Sequence, residues 1–442
     1  MNGHMYSHPT AIQTMSDGTI KQVNPFSGTE VWTVPGRGHR PLSTSQGNIT
    51  PITPSDHSNT CAFCSDRYLD TPPEKARIVR DDDGWTILRG VLPDRLHDSV
   101  PAFRRVSNLF EIVSYDYWRN NYGFSMDLET TDWMQSYIST EKGREHVLAT
   151  VRTKLQAAGI QDMPDDATLL PQGEAFFGGG HDLIIGQRHF VPDATQSDQL
   201  ASAGTLSPDE HFAFIFFTVD ALREAYQRNR YAPYVAVFQN WLKPAGASFD
   251  HLHKQLVAID ERGVHGETEI AKLRNNPNMY NEWAVDYAGQ RNLIIAENDH
   301  AVCFAGFGHR YPTLEVFSRS ATPEPWLQTN EEIKAMSDLI HACHAAAGPH
   351  VPCNEEWHHK PIDLDIAMPW RVMIKWRVST LAGFEGSTKV YLNTLSPWDV
   401  RDRVVPRLYE LRDSGAIDAS IRIATECSVR RNSLLYNKNL NM

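Results

Sequence analysis

The sequence predicts an α+β fold of two similar repeats, in which antiparallel strands form sheets and helices pack on one face. Two observations carry this prediction. Strand-like apolar runs lie on both sides of two strongly capped helices, and the order strand–loop–helix–strand occurs twice, at about residues 170–262 and 293–405. Weak repetition of this length is typical of two copies of one folding unit. Antiparallel sheets covered on one face by helices satisfy the pattern.

The first helix is predicted from its start signal and its periodicity. Ser207 is an N-cap, Pro208 occupies the first helical position, and Glu210 follows the cap by three residues. Apolar residues then recur at helical spacing from Phe212 to Tyr226. The flanking strand candidates are HDLIIGQRHFVP before the helix and YVAVFQNW and HLHKQLVAI after it.

The second helix begins with the same signature. Thr329 precedes two glutamates, and the apolar pattern continues to Gly348. Its strand candidates are NDHAVCFAGF and YPTLEVF before the helix and WRVMIKWRV after it. The segments 1–19 and 428–442 lack such periodicity, which predicts flexible tails.

Bulk composition narrows the class of protein. The chain has 442 residues, 41% hydrophobic and 22% charged, as in ordinary globular proteins. A formal charge of -12 argues against a general nucleic-acid binder. No segment approaches the roughly 20 apolar residues that span a bilayer. The start of the chain lacks a charged and then apolar leader, and the six cysteines show no disulfide framework. We expect a cytoplasmic protein that binds neither membrane nor nucleic acid.

The most informative segment runs from Asn240 to Gln255. If residues 251–259 form a strand, His251, His253 and Gln255 point to one face. Such a face is consistent with a metal site, with a nucleophile and its supports, or with a polar outer surface. The preceding Gly246-Ala-Ser248 is a loop of small residues, which lets backbone N–H groups approach an anion.

A second motif is Cys61-Ala-Phe-Cys64. A lone C-x-x-C is either a redox pair or half of a zinc site. The residues after it do not start a convincing helix, as a thioredoxin-like redox pair requires. Zinc needs four ligands in a tetrahedral array and binds Cys and His readily. The remaining two ligands must come from elsewhere in the chain.

These motifs together resemble the galactose-1-phosphate uridylyltransferases of the histidine-triad superfamily. The resemblance spans about residues 20–410 and is most specific in one set of residues: Asn240, Gly246, Ser248, His251, His253 and Gln255. Histidine-triad hydrolases usually carry a third His at the position of Gln255. A Gln there resembles the transferase branch. The resemblance implies histidine-triad-like repeats, a catalytic one at 20–262 and a degenerate one at 293–405.

The resemblance also implies a structural Zn²⁺ and a set of substrate contacts. Cys61 and Cys64 would be joined by His189 and His251 as zinc ligands. Asn240 and Gly246 are expected to bind substrate, together with four further residues. Arg37 and Arg40 would bind phosphates, Asn108 the nucleoside and Glu385 the sugar hydroxyls. Leu109 stands where some uridylyl enzymes have Asp, which leaves the base open.

The second repeat departs from some relatives. It has Met373 and Lys375 where they carry histidines, so we expect it to be catalytically silent and to lack a metal.

The implied reaction is nucleotidyl transfer. Neutral His253 would attack the α-phosphorus of a nucleoside diphosphate sugar, while Gln255 and Ser248 bind the phosphoryl oxygens. A sugar 1-phosphate would then accept the nucleotidyl group. Three alternatives stay open: a phosphorylase that uses inorganic phosphate, a hydrolase, and a non-catalytic zinc-binding relative. Members of the family are often dimers, so a homodimer is also expected.

Overall fold

The computed structural model describes residues 11–36, 48–428 and 430–440. The strands are β1 Ile12–Thr14, β2 Ile20–Val23, β3 Glu30–Thr33, β4 Glu74–Asp81, β5 Gly84–Arg89, β6 Pro101–Ser107, β7 His181–Gly186, β8 Tyr234–Trp241, β9 His253–Ile259, β10 Ile294–Glu297, β11 Ala301–Ala305, β12 Thr313–Ser318, β13 Cys353–His358, β14 Arg371–Trp376, β15 Val390–Asn393 and β16 Arg422–Ile423.

The α-helices are α1 Asp56–Asn59, α2 Tyr115–Tyr122, α3 Leu128–Ser139, α4 Glu141–Ala157, α5 Asp166–Leu169, α6 Glu174–Gly178, α7 Pro208–Arg228, α8 Gly263–Asn275, α9 Asp286–Gln290, α10 Asn330–Ala347, α11 Gly383–Thr388 and α12 Pro397–Asp413. None of the helices within the described ranges is long and apolar enough to cross a membrane.

One large sheet organises the molecule. Its twelve strands follow the order β16-β10-β11-β12-β14-β13-β8-β9-β7-β6-β4-β5, and its neighbouring strands are antiparallel. A smaller sheet has the order β1-β2-β3-β15, with β15 parallel to β3. The predicted α+β class with antiparallel sheets is confirmed.

The large sheet has two halves that meet at the β8–β13 pair. From β8 the first half continues outward with β9 and then β7. From β13 the second half continues outward with β14 and then β12. Helix α7 connects β7 to β8, α10 connects β12 to β13, and the two helices pack against each other. We propose that these halves are the repeats predicted at 20–262 and 293–405.

Both connecting helices begin with the predicted capping box. The Ser207 hydroxyl accepts the N–H of Glu210 at 3.2 Å, and the Glu210 carboxylate accepts the N–H of Ser207 at 2.9 Å. Thr329 and Glu332 repeat this arrangement. Each cap satisfies N–H groups that have no partner within the helix, and is typically worth about 1 kcal/mol.

A buried polar cluster lies between the sheet and these helices. Lys254 forms an ion pair with Glu355, and His344 donates from Nε2 to the same carboxylate at 2.8 Å. Lys254 and Glu355 are both fully buried. The helices therefore cover one face of the central strands, which leaves the opposite face of β9 and β14 for a ligand.

The predicted tails differ from the structure in two segments. Residues 12–14 pair with β2, and near the other end Leu434 and Tyr436 are buried. The Tyr436 hydroxyl donates to the Pro277 carbonyl at 2.6 Å. These segments are too short to show periodicity, so their packing depends on contacts that the local sequence does not encode. Residues 1–10 and 441–442 lie outside the described residues.

Candidate active site and metal centre

Four predicted metal ligands converge at one end of β7 and β9. Their ligand atoms all lie within 4.8 Å of one another. The two sulfur atoms of Cys61 and Cys64 are 3.8 Å apart. The Nδ1 atoms of His189 and His251 lie 3.5 and 3.4 Å from the Cys61 sulfur, and 3.6 and 3.8 Å from the Cys64 sulfur. Two thiols and two imidazoles in this arrangement are compatible with a metal site.

His251 is directed to this centre by a backbone contact. Its Nε2 donates to the carbonyl of Gly186, the last residue of β7, at 2.7 Å, so Nδ1 faces the cysteines. The sequence predicts His251 on the same strand face as His253. The structure begins β9 at His253 instead, so His251, two residues before the strand, is free to turn its ring toward the candidate metal centre.

His253 has the geometry of a nitrogen nucleophile. Its Nδ1 donates to the backbone carbonyl of His251 at 2.7 Å, and its Nε2 has no hydrogen-bond partner among the described residues. Burial lowers the pKa of His253 to about 4, so the imidazole is neutral at pH 7. A neutral imidazole with one nitrogen held and the other free is suited to attack an electrophile.

The loop from Cys61 to Cys64 also packs against His253. Phe63, which lies between the two cysteines, contacts the His253 ring edge-on with centroids 5.3 Å apart. Phe63 also contacts Phe249, with centroids 4.5 Å apart, and the His251 ring, with centroids 5.9 Å apart. The conformation of the Cys61–Cys64 loop therefore shapes the apolar wall beside His253.

Gln255 lies on the open face of β9 and contacts a histidine that the sequence does not single out. The Gln255 Oε1 is 2.9 Å from Nε2 of His181, and the His181 Nδ1 accepts the N–H of Ile112 at 3.1 Å. The Nδ2 of Asn108 also lies 3.1 Å from that Nε2. Asn108 is thus placed beside Gln255. His181 begins HDLIIG, but its proximity follows only from the β7–β9 register.

Asn240 approaches the same face from β8. Its Oδ1 accepts from Nδ2 of Asn354 at 2.6 Å, across the junction of the two halves. Asn240 and Asn354 are direct cross-strand partners, as are Phe238 and Gln255 in the neighbouring pair. Because side chains alternate along a strand, Asn240 and Phe238 share the face that carries Gln255.

The loop after β8 differs in detail from the prediction. The φ of Gly246 is +91°, a left-handed conformation that favours glycine. Its N–H donates to Lys243 at 2.9 Å, and that of Ala247 donates to Leu242 at 3.3 Å, so these groups are used within the loop. Gly246 therefore sets the turn rather than offering its N–H to a ligand. Ser248 is exposed, and its hydroxyl has no partner within the described part of the chain.

Three further residues, Arg37, Arg40 and Glu385, were predicted to contact substrate. Arg37 and Arg40 lie outside the described residues. Glu385 belongs to α11, and its carboxylate accepts the N–H groups of Ala382 at 2.7 Å and Leu392 at 3.4 Å. The Glu385 side chain therefore stabilises its own backbone in this structure.

A cavity of 600 Å³ opens on the same sheet face, and its lining includes neither Gln255 nor His253. Phe238, the cross-strand partner of Gln255, lines it from the first half, and the second half supplies its floor through Glu356, Met373 and Lys375. Lys375 forms an ion pair with Glu356. Within the described ranges, no second group of metal ligands resembles that of Cys61, Cys64, His189 and His251.

The comparison with protein families gives one match over almost the whole chain. Residues 15–436 match a family described as Domain of unknown function (DUF4921). The chain belongs to the DUF4921 family.

Named relatives place this DUF4921 protein in a broader fold. It is 26% identical over 386 residues to the ADP-glucose phosphorylase of Arabidopsis thaliana, covering 84% of this chain and 89% of that protein. The crystal structure of an Arabidopsis thaliana ADP-glucose phosphorylase with bound ADP-glucose aligns with a TM-score of 0.57 at 18% identity, over 87% of this chain and 97% of that one.

A GalT-like protein of Arabidopsis thaliana aligns with a TM-score of 0.52 at 18% identity, over 79% of this chain and 92% of that one. The predicted resemblance to the galactose-1-phosphate uridylyltransferase-like family of the histidine-triad superfamily is confirmed.

Proposed function

We propose that this DUF4921 protein is a nucleotide-sugar phosphorylase that works through a covalent nucleotidyl-His253. The observation that carries the proposal is the state of His253, which is neutral, held at Nδ1 by the His251 carbonyl and free at Nε2. The 26% identity to an ADP-glucose phosphorylase supports an adenosine diphosphate sugar as donor. Leu109, which stands where some uridylyl enzymes carry Asp, agrees with a base other than uracil.

The first step forms a phosphorus–nitrogen bond. The Nε2 lone pair attacks the α-phosphorus, and the bond from that phosphorus to the bridging oxygen breaks. The sugar 1-phosphate leaves with the electron pair of the broken bond. The His251 carbonyl keeps the Nδ1 proton in place while positive charge develops on the imidazole.

The second step reverses the geometry with a different oxygen nucleophile. An oxygen of inorganic phosphate attacks the same phosphorus, the bond to Nε2 breaks, and a nucleoside diphosphate leaves. Amide and hydroxyl donors of Gln255, Asn240 and Ser248 would stabilise the phosphoryl oxygens in both steps. The 600 Å³ cavity lined by Phe238, the cross-strand partner of Gln255, would provide room for the remainder of a nucleotide sugar.

Two other acceptors define the competing functions. A sugar 1-phosphate as acceptor gives the nucleotidylyltransferase of the sequence-based prediction, and water gives a hydrolase. The similarity to a phosphorylase favours inorganic phosphate. Gln255 in place of a third histidine supports a nucleotidyl-histidine that is stable enough to meet an acceptor other than water.

We further propose zinc as the metal of the four-ligand centre. With Zn–S bonds of about 2.3 Å and Zn–N bonds of about 2.0–2.1 Å, a tetrahedral ion requires about 3.8 Å between sulfurs and about 3.6 Å from sulfur to nitrogen. The observed sulfur–sulfur distance is 3.8 Å, and the observed sulfur–nitrogen distances run from 3.4 to 3.8 Å. Such an ion would fix His251 and, through its carbonyl, His253.

Intact-protein mass spectrometry tests the covalent step. Wild-type protein is incubated with ADP-glucose, UDP-glucose or GDP-glucose, without acceptor. We expect an acid-labile mass increase of one adenylyl group, its absence in His253→Ala, and its presence in the control His300→Ala, which changes a histidine in the β10–β11 turn. An adduct that persists in His253→Ala would contradict the assignment of the nucleophile.

Product analysis separates the acceptors. The adduct formed from ADP-glucose is isolated and mixed with inorganic phosphate, galactose 1-phosphate or buffer alone. Rapid formation of ADP with phosphate supports the phosphorylase. ADP-galactose formed faster from galactose 1-phosphate than ADP from phosphate would favour the transferase, and release of AMP in buffer at the same rate would favour the hydrolase.

Metal analysis and sedimentation test the remaining expectations. We expect one zinc per chain in purified protein and its loss in Cys61→Ser. The proposed homodimer is supported by exposed Phe110 and Ile112 beside Asn108, at the rim of the site. Sedimentation equilibrium showing a monomer at assay concentration would contradict it.

A further inference from the structure

We propose that His181 and Asn354 are positioning residues that turn the amide nitrogens of Gln255 and Asn240 toward the phosphoryl group. This inference rests on the proposed nucleotidyl transfer. It concerns two residues that were not predicted to belong to the site, one of them in the second half of the sheet.

The tautomer of His181 follows from its neighbours. The backbone N–H of Ile112 donates to Nδ1 at 3.1 Å, so Nδ1 must be unprotonated. The proton of the neutral ring then lies on Nε2, which faces Oε1 of Gln255 at 2.9 Å. His181 is 1% exposed, so water does not compete for either ring nitrogen.

The orientation of Gln255 follows from this tautomer. A protonated Nε2 can only donate, so it selects the oxygen of the Gln255 amide and leaves the nitrogen directed away from His181. That nitrogen has no partner among the described residues. The Asn108 oxygen accepts the N–H of Phe110 at 2.9 Å, so the Asn108 nitrogen lies 3.1 Å from the same Nε2, which cannot accept from it while protonated.

Asn354 fixes the orientation of the Asn240 side-chain amide in a similar way. Its Oδ1 accepts from Nη1 of Arg377 at 2.7 Å, and its Nδ2 donates to the Ala245 carbonyl at 2.8 Å. An arginine only donates and a carbonyl only accepts, so the Asn354 amide has one allowed orientation. Its Nδ2 also donates to the Asn240 oxygen at 2.6 Å, which leaves the Asn240 nitrogen for the site.

The two contacts have one chemical consequence. A side-chain amide is almost symmetric in shape, so an unsupported Gln or Asn offers phosphate an oxygen as readily as a nitrogen. An oxygen repels the phosphoryl oxygens, whereas a nitrogen donates to them. Donors preorganised toward developing charge are worth up to about 10²–10³ in rate each, and a reversed amide forfeits that contribution.

The first experiment measures the tautomer directly. ¹⁵N-histidine NMR of wild-type protein, with the His181 signals assigned by His181→Phe, is expected to show an unprotonated Nδ1 and a protonated Nε2. The opposite tautomer would overturn the inference. This readout needs no substrate, so it stands apart from a failure of the proposed function, which the absence of any adduct in wild-type protein would show.

The second experiment uses kinetics. We expect His181→Phe to lower kcat about 10- to 100-fold with KM for the nucleotide sugar changed less than about threefold. In a Gln255→Ala background the same substitution should cause no further loss. A full additional loss there would overturn the inference, because it would show that His181 does not act through Gln255.

The third experiment reverses Asn240 without removing volume. In Asn354→Asp the carboxylate still accepts from Arg377 but cannot donate, so Asn240 turns its nitrogen inward and its oxygen toward the site. We expect kcat to fall about tenfold or more, and a smaller rate penalty than in wild type for a donor with sulfur at a non-bridging α-oxygen. The control Asn275→Asp, on an exposed part of α8, should match wild type. Equal kinetics and an equal sulfur effect in Asn354→Asp and the control would overturn the role of Asn354.

Discussion

The two halves of the large sheet place different chemistry at matching positions. Strands β9 and β14 occupy the same place in the strand order, and they begin with His253 and Arg371. Two residues further along, Gln255 faces Phe238 in one half and Met373 faces Glu356 in the other. The first half thus has a neutral, unpaired imidazole where the second has a buried guanidinium.

The side chains of His253 and Arg371 also differ in their bonding partners. Arg371 is 2% exposed and forms an ion pair with Glu269 of α8, whereas Nε2 of His253 is left without a partner in the described structure. A buried guanidinium held by both oxygens of one carboxylate is typical of a structural role. An imidazole nitrogen without a protein partner is available to a ligand. We propose that one scaffold serves stability in one half and reactivity in the other.

The largest expected effect is on turnover. His253→Ala should lower kcat at least about ten-thousand-fold, because it removes the proposed nucleophile. The midpoint of thermal unfolding should change little. Steady-state assays and calorimetry on one preparation measure both. Residual turnover within tenfold of wild type would remove the distinction between the halves.

The matching change in the second half should affect stability instead. Arg371→Met leaves the Glu269 carboxylate buried without its partner, so we expect a loss of about 3–5 kcal/mol in the free energy of unfolding. Denaturant titration measures it. The double variant Arg371→Met, Glu269→Gln should recover most of that loss. A single variant as stable as wild type would show that the ion pair is not structural.

Acidification should weaken the packing between the halves. Burial lowers the pKa of His341 on α10 to about 4, from 6.5 in an unfolded chain. Between those values the unfolded chain binds more protons, so stability is fully present above pH 6.5 and falls as the pH drops toward 4. We expect His341 to contribute about 1–3 kcal/mol to this fall. Unfolding titrations across this range should show a shallower slope for His341→Asn than for His300→Asn.

The smallest expected effect concerns the loop that precedes His253. Ser248→Ala should lower kcat about two- to tenfold, because one neutral donor to the phosphoryl group is lost. Stability should stay within about 0.5 kcal/mol, since the residue is exposed. Ser248→Thr keeps the hydroxyl and should retain activity. A threonine variant as slow as the alanine variant would indicate that loop shape, not the hydroxyl, matters.

The sequence predicted those features that depend on local pattern. Capping boxes at Ser207 and Thr329 are local hydrogen-bond motifs, and both helices form where they were expected. The grouping of Cys61, Cys64, His189 and His251 was inferred from the family resemblance, and the structure brings the four together. The strand that carries His253 was also expected, although it begins two residues later than predicted.

Features that depend on strand register were not predicted. The joining of both halves into one sheet rests on the β8–β13 pair, whose partners are more than one hundred residues apart. The contact of Asn354 with Asn240 follows from this pair, and the contact of His181 with Gln255 follows from the β7–β9 register. For Glu385 the sequence predicts a contact with sugar hydroxyls, whereas in the structure its carboxylate accepts a local backbone N–H group.

The metal centre has a consequence for the order in which the protein is made. Its ligands come from three separate stretches of chain, and the last of them, His251, follows Cys61 by 190 positions. During synthesis the two cysteines leave the ribosome long before their histidine partners. The proposed four-ligand ion therefore cannot be captured until His251 has emerged, so its loading would come late in the synthesis of the first half.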